Sequence, residues 1–325
     1  MFLKSTMHIA IDGKRVFGKG WGEALVFSAD GECLAAATTG RLFLWQSDRV
    51  SPRVLLLPGF QNSPLSWNTS RTLIHAGGYK VDPETGGVIS LPFDLLGLLS
   101  KNIDMPSACL DVDWASWNTS GDRLFFQISS VPTKDAELKD CEDLSRVWTG
   151  IADLEGRLIA PSTAMDFFEA FKIVRVASKW VAAGGPKGVQ LWDANTGVAS
   201  QYLETETAVC ALSMDALRHR LVYITRQGAV RLWHLAENRE MQGFQMDKAE
   251  VPSRCYFHPP TGLLCVCSGA QVDFWSLENA PEKVGTVQIA GNIAGLAFSE
   301  TGKSLAVATG LGGTQIEVFN LNILP

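Results

Sequence analysis

The sequence predicts an all-β repeat fold, a seven-bladed β-propeller of four-stranded antiparallel blades whose ring is closed by the N-terminal strand. Three observations predict it. Strand-length apolar runs separated by polar and glycine turns recur in a fixed order along the chain, each unit ending in an aromatic residue. The later aromatic ends, Trp148, Trp192, Trp233, Trp275 and Phe319, follow one another at 44, 41, 42 and 44 residues, the period of a four-stranded blade. The last unit lacks an outer strand, and the chain opens with an orphan strand that can supply it.

That orphan strand is Met7–Ile11, extended by Lys14–Phe17. The first blade reads Ala24–Phe27, a turn Ser28-Ala29-Asp30-Gly31, Cys33–Ala37, a turn Thr38–Gly40, then Leu42–Trp45. Trp148 lies 103 residues beyond Trp45, which is room for two blades with insertions. The second blade runs through Pro64–Trp67, Leu73–Ala76, Tyr79–Val81 and Val88–Leu91, with Val81 near the Trp place. The third to sixth end at Trp148, Trp192, Trp233 and Trp275. The seventh supplies Gly295–Phe298, Leu305–Ala308 and Gln315–Phe319. Trp45, Trp148, Trp192, Trp233 and Trp275 are expected as buried structural wedges, each closing an apolar third strand. One propeller domain spans residues 1–325.

Composition narrows the function. The chain of 325 residues has 28 basic and 34 acidic side chains, a formal charge of −6, with 46% apolar and 19% charged residues. With no Lys/Arg block, the electrostatic footprint of a nucleic-acid binder is missing. No stretch reads as a signal peptide or as 18 uninterrupted apolar residues, so the expectation is a cytoplasmic protein without a membrane partner. Seven cysteines scattered through apolar runs fit reduced thiols used as small hydrophobes.

These units resemble the Trp-Asp repeat (WD-repeat) propeller family over nearly the full chain. Trp192-Asp193 is the literal dipeptide; the other copies read Trp45-Gln46, Trp148-Thr149, Trp233-His234, Trp275-Ser276 and Phe319-Asn320. The family's Ser-Pro-Asp-Gly turn takes altered forms in Ser28–Gly31, Asn118–Asp122, His258–Gly262 and Ser299–Gly302. Its Gly-His entry and the Asp between the second and third strands are absent. The usual His-Ser-Trp-Asp hydrogen-bond network is therefore not expected, and apolar packing carries the blades. The resemblance implies a non-catalytic scaffold or adaptor that binds other proteins within a larger assembly.

Departures from the repeat locate the candidate interface. Residues 92–110, 130–145 and 160–170 interrupt blades two to four, and propeller topology puts all three on one face. Leu95 and Leu99, four residues apart, can form one face of a short helix, either as satellite core or as an exposed anchor. With Phe167 and Phe168 they form the expected apolar centre of a partner-binding surface, rimmed by Asp166, Glu169 and the acidic 135–143 loop. Glu204, Glu206, Asp247 and Glu250 add negative charge on that face, which would suit a basic peptide segment.

Chemistry offers less. Asp111 and Asp113, two apart on an inner strand, could face the channel as metal ligands or an acid/base pair, the basis of an alternative reading as an enzyme or small-ligand binder. Cys255, His258, Cys265 and Cys267 have zinc-like spacing, but Cys265 and Cys267 alternate within a strand where small packing residues belong. The histidines, His8, His75, His219, His234 and His258, fall in different blades, and no nucleophile elbow or phosphate loop occurs. No catalytic residue and no cofactor is assigned.

Overall fold

The computed structural model describes residues 8–19, 24–28, 30–38, 40–46, 51–58, 65–68, 70, 72–89, 95–103, 110–130, 146–166, 171, 173–177, 179–246, 252–310 and 315–324. Seven four-stranded antiparallel sheets form the blades of a β-propeller. The first strand, β1 (His8–Lys19), belongs to the last blade. Blade one is β2 (Ala24–Phe27), β3 (Cys33–Thr38), β4 (Arg41–Gln46) and β5 (Arg53–Leu56), and blade two is β6 (Leu65–Trp67), β7 (Ile74–Ala76), β8 (Tyr79–Val81) and β9 (Val88–Ile89). After helix α1 (Leu95–Ile103), blade three comprises β10 (Leu110–Trp117), β11 (Arg123–Ser130), β12 (Arg146–Asp153) and β13 (Leu158–Asp166). Blade four is β14 (Ile173–Ala177), β15 (Trp180–Gly184), β16 (Gly188–Asp193) and β17 (Ala199–Glu204); blade five is β18 (Val209–Asp215), β19 (Arg220–Thr225), β20 (Ala229–His234) and β21 (Arg239–Gln245). Blade six is β22 (Arg254–Phe257), β23 (Leu264–Ser268), β24 (Gln271–Ser276) and β25 (Glu282–Gln288). Blade seven is β26 (Ile293–Phe298), β27 (Ser304–Thr309) and β28 (Gln315–Leu324), completed by β1.

The expected closure is present. β1 pairs antiparallel with β28 from His8↔Leu324 to Lys19↔Gln315, so the edge that the last blade would leave open is covered. Ile9 packs where a Cβ on Gly285 would stand, which seats β1 against the outer strand of blade six.

Strand register corrects the position of Trp148. In blade four Trp192 lies opposite Val181, and in blade five Trp233 lies opposite Leu221. The matching pair in blade three is Ala152 with Leu124; Trp148 sits four residues earlier, opposite Ile128. The bulky side chain misleads because the true place holds alanine. The following aspartate shows the alignment: Asp82, Asp153 and Asp193 each accept backbone N–H bonds from the turn between the third and fourth strands. In blade five His234 Nδ1 does the same for the Glu237 N–H at 3.1 Å. A short acceptor closing its own turn is the physical reason for a polar residue after the apolar position.

Trp45 and Trp148 are buried, as expected of wedges, whereas Trp192, Trp233 and Trp275 are only half-buried. The indole N–H groups of Trp233 and Trp275 are enclosed without a hydrogen-bond partner, so these rings contribute through apolar contact alone.

The contacts sort into two compact units, Met1–Thr38 with Leu42–Leu55 and Thr207–Pro325, and Thr39–Arg41 with Leu56–Glu206. Within the first, cores fill the seams between neighbouring blades: Phe274, Leu296, Leu305 and Val307 between blades six and seven, and Val222, Leu232, Cys255 and Leu264 between five and six. Within the second, Phe125, Ile151, Val174 and Val181 pack blade three on blade four. Side chains also reach into the next blade's turn. Lys80 Nζ donates to the Gly121 carbonyl at 2.6 Å, and Arg220, ion-paired with Asp215 at 2.7 Å, donates to the Gly262 carbonyl at 2.8 Å.

Candidate functional site

Much of the loop face expected to carry function lies outside the described residues: Phe167, Phe168, Glu169, Asp247, Glu250 and the 131–145 segment. The side chains of Leu99 and Asp166 also fall outside them. What is described bears on two expectations. Of the two alternatives for Leu95, it takes the satellite core. Helix α1 forms despite Gly97, and Leu95 is 5% exposed, packed with Leu110, Trp117, Leu124 and Phe126 while Leu96 and Leu98 lean on the same cluster. A leucine-rich helix lying against the first strand of blade three gains more from burial than from solvent exposure. Residues 160–166 are not loop. They continue β13, with Val147↔Met165 and Arg146↔Asp166 in register, and the shift between Thr149↔Thr163 and Ile151↔Ala160 accommodates Pro161, which cannot donate to a ladder.

The two inner-strand aspartates are engaged by protein. Asp113 sits at a register shift in β10, where its two carboxylate oxygens accept from Gln127 Nε2 and Ser129 Oγ, each at 2.9 Å. Gln127, fully buried, goes on to accept from the Phe171 N–H at 2.9 Å and donate to its carbonyl at 3.1 Å. Asp113 thus anchors a clasp between blade three and the segment entering blade four. Asp111 accepts from the Val112 N–H at 2.9 Å. Among the described residues, no group of three or more His, Cys, Asp or Glu side chains is placed to hold a metal ion.

The zinc-like set is core. Cys255, Cys265 and Cys267 are fully buried, and burial pushes the Cys267 thiol up to about 12, where it stays protonated. His258 uses both ring nitrogens within the protein, on Thr261 Oγ1 at 2.7 Å and the Gly302 carbonyl at 3.0 Å.

A different surface stands out. Among the described residues, the exposed large apolar side chains Leu56, Val88, Ile89, Leu154, Ile159, Val198 and Tyr202 belong to the second unit, against Val54 and Leu217 in the first. They lie on outer strands or on the turns leading into them: Val88 and Ile89 are β9, Ile159 is on β13, and Tyr202 is on β17 behind Val198, which is 63% exposed. The outer strands of blades five and six present Arg239 and Glu240, or Glu282 and Lys283, at the same stage of the repeat. Charge at an outer strand keeps it solvated, whereas Val88, Ile89, Ile159 and Tyr202 leave apolar surface on show in blades two to four. Comparing fourth strands across the repeats would have found this in the sequence. Comparing loop lengths did not. No helix among the described residues is long and apolar enough to cross a membrane.

No protein-family model matches the chain, and no curated protein does. Solved structures match over almost its whole length. The WD40 repeats of RRP9 superpose with a TM-score of 0.68 at 13% identity, covering 97% of this chain and 100% of that one. U3-55K superposes with a TM-score of 0.65 at 12% identity, covering 94% and 98%. With seven four-stranded antiparallel blades and these neighbours, the chain has the fold of the WD40-repeat β-propellers.

Proposed function

We propose that the protein is a non-catalytic interaction scaffold that binds other protein chains through the outer strands of blades two to four, as one subunit of a larger cytoplasmic assembly. The observation that carries this reading is the apolar surface of the second unit, where Val88, Ile89, Ile159 and Tyr202 line outer strands that carry charge in blades five and six. Apolar side chains grouped on a rigid sheet scaffold are the usual centre of a protein interface. The WD40 neighbours share the fold that presents such surfaces. A net charge of −6 argues for protein partners over nucleic acid.

The test pairs Ile89→Lys with Tyr202→Lys in the full chain and captures partners at native expression level. The expected result is lost partner recovery with unchanged circular dichroism and melting temperature. Recovery equal to wild type from the folded variant would overturn the outer-strand reading.

A further inference from the structure

Two histidines are sealed at blade seams, His75 on β7 at 2% exposure and His258 after β22 at 3%. Both reach the same place, the turn between the first and second strands of the next blade. At His75 the ring lies against that turn, where a Cβ on Gly121 would stand 3.1 Å from Nε2 and 3.2 Å from Cε1. His258 donates from Nε2 to the Gly302 carbonyl at 3.0 Å. A carbonyl only accepts, so this bond fixes the proton of the neutral His258 ring on Nε2. Nδ1 of His258 then accepts the Thr261 hydroxyl at 2.7 Å, while Nδ1 of His75 is enclosed without a partner.

We infer that the seams between blades two and three and between blades six and seven are acid-released latches, in which a second proton on the imidazole unseats it from the neighbouring blade's turn. At His75 that proton would be a buried donor with no acceptor; at His258 it would displace the proton that the Thr261 hydroxyl now donates to Nδ1, so the hydroxyl would have to turn and accept instead. Each would also place a cation beside a cation. Lys80, on the strand next to His75, has its Nζ 4.1 Å from the Trp117 ring and bonded to Gly121. Arg218, near His258, donates to the Pro259 and Pro260 carbonyls at 3.1 and 2.7 Å. The carboxylates nearby have their own partners: Asp122 accepts from Asn118 and Ser120 and lies 3.6 Å from Arg123, and Asp215 holds Arg218 and Arg220. Glu300 and Lys303 flank Gly302 in the turn of blade seven with opposite charge.

Burial, and then Lys80, lowers the His75 imidazole to about 4; burial, and then Arg218, lowers His258 against the opposing Gly302 bond. A released ring takes its proton near the ordinary value of about 6.5. The latches therefore hold fully above that pH and weaken as pH falls toward 4, with release of His75 favoured about thirtyfold at pH 5 relative to pH 8.

Amide exchange of the full chain from pH 8 to 4.5, corrected for intrinsic rates, should show segments 118–123 and 299–304 opening faster below pH 6.5. In the His75→Gln/His258→Gln protein, which keeps a side-chain N–H but cannot titrate, that acceleration should vanish. The same acceleration in the double variant overturns the inference. If the variant does not fold, imidazole proton shifts of the wild type decide: titration well below 6.5 together with faster exchange supports the latches, and titration near 6.5 in the closed state overturns them.

Discussion

Gly302→Ala, set beside Gly31→Ala, isolates what one seam contact contributes. The two glycines hold matching places in the first turns of blades seven and one, with φ of 68° and 77°, and each donates back to the serine three residues earlier. Alanine costs about 1–2 kcal/mol in that left-handed conformation at either site. At Gly31 a Cβ would meet nothing nearer than Ser299 Cβ at 3.5 Å, an ordinary contact, so the conformational cost is the whole effect. At Gly302 it would overlap His258 Nε2 and lie 2.6 Å from Cε1 and 2.8 Å from Pro260 Cδ. His258 must withdraw, breaking its 3.0 Å bond inside a closed seam, which adds about 1–3 kcal/mol for the polar groups left unpaired. The expected losses are about 1–2 kcal/mol for Gly31→Ala and about 2–5 kcal/mol for Gly302→Ala, read from urea unfolding at pH 7.5. Equal losses would refute the argument, because they would show that the imidazole is not held by the turn.

Trp233→Phe and Trp275→Phe should each cost less than about 1 kcal/mol, since neither indole N–H has a bond to lose, whereas Trp148→Ala should cost about 3–5 kcal/mol from the core of blade three; urea midpoints compare them. Asp153→Ala and Asp193→Ala should each lower the melting temperature, because each carboxylate satisfies two turn N–H groups, and calorimetric melting will show it. Deleting residues 1–19 should lower the melting temperature and promote self-association seen by sedimentation, because β28 then presents an open edge; an unchanged melting temperature would contradict the closure.

The blades were legible because turn glycines and apolar runs repeat whatever fills the slots between them. Val81 was placed correctly on spacing alone, and the orphan strand was matched to the last blade on strand count. Trp148 misleads because its bulk stands out in the sequence, whereas the repeat place belongs to Ala152, four residues on. Ala152-Asp153 carries the alignment in its aspartate, whose role is visible only once its bonds to the Glu155 and Arg157 N–H groups are seen. The candidate surface was harder to read. Leu95 and Ile89 are both apolar residues beside an irregular segment, and one is buried while the other is 59% exposed. What separates them is whether a helix brings the side chain back to the sheet, a tertiary outcome that local pattern does not encode.

The pairing of β1 with β28 also sets a timetable for synthesis. Residue 8 is made before the strands of all the other blades, and its partner at 324 only after them. Through that interval the first strand has no ladder of its own, while the intervening blades can form from local hairpins as they emerge. Completion of the fold is consequently a late, long-range event. Between the making of β1 and of β28 the nascent chain carries the aggregation hazard of an unpaired strand, and a chaperone that shields residues 8–19 would act where the delay is longest.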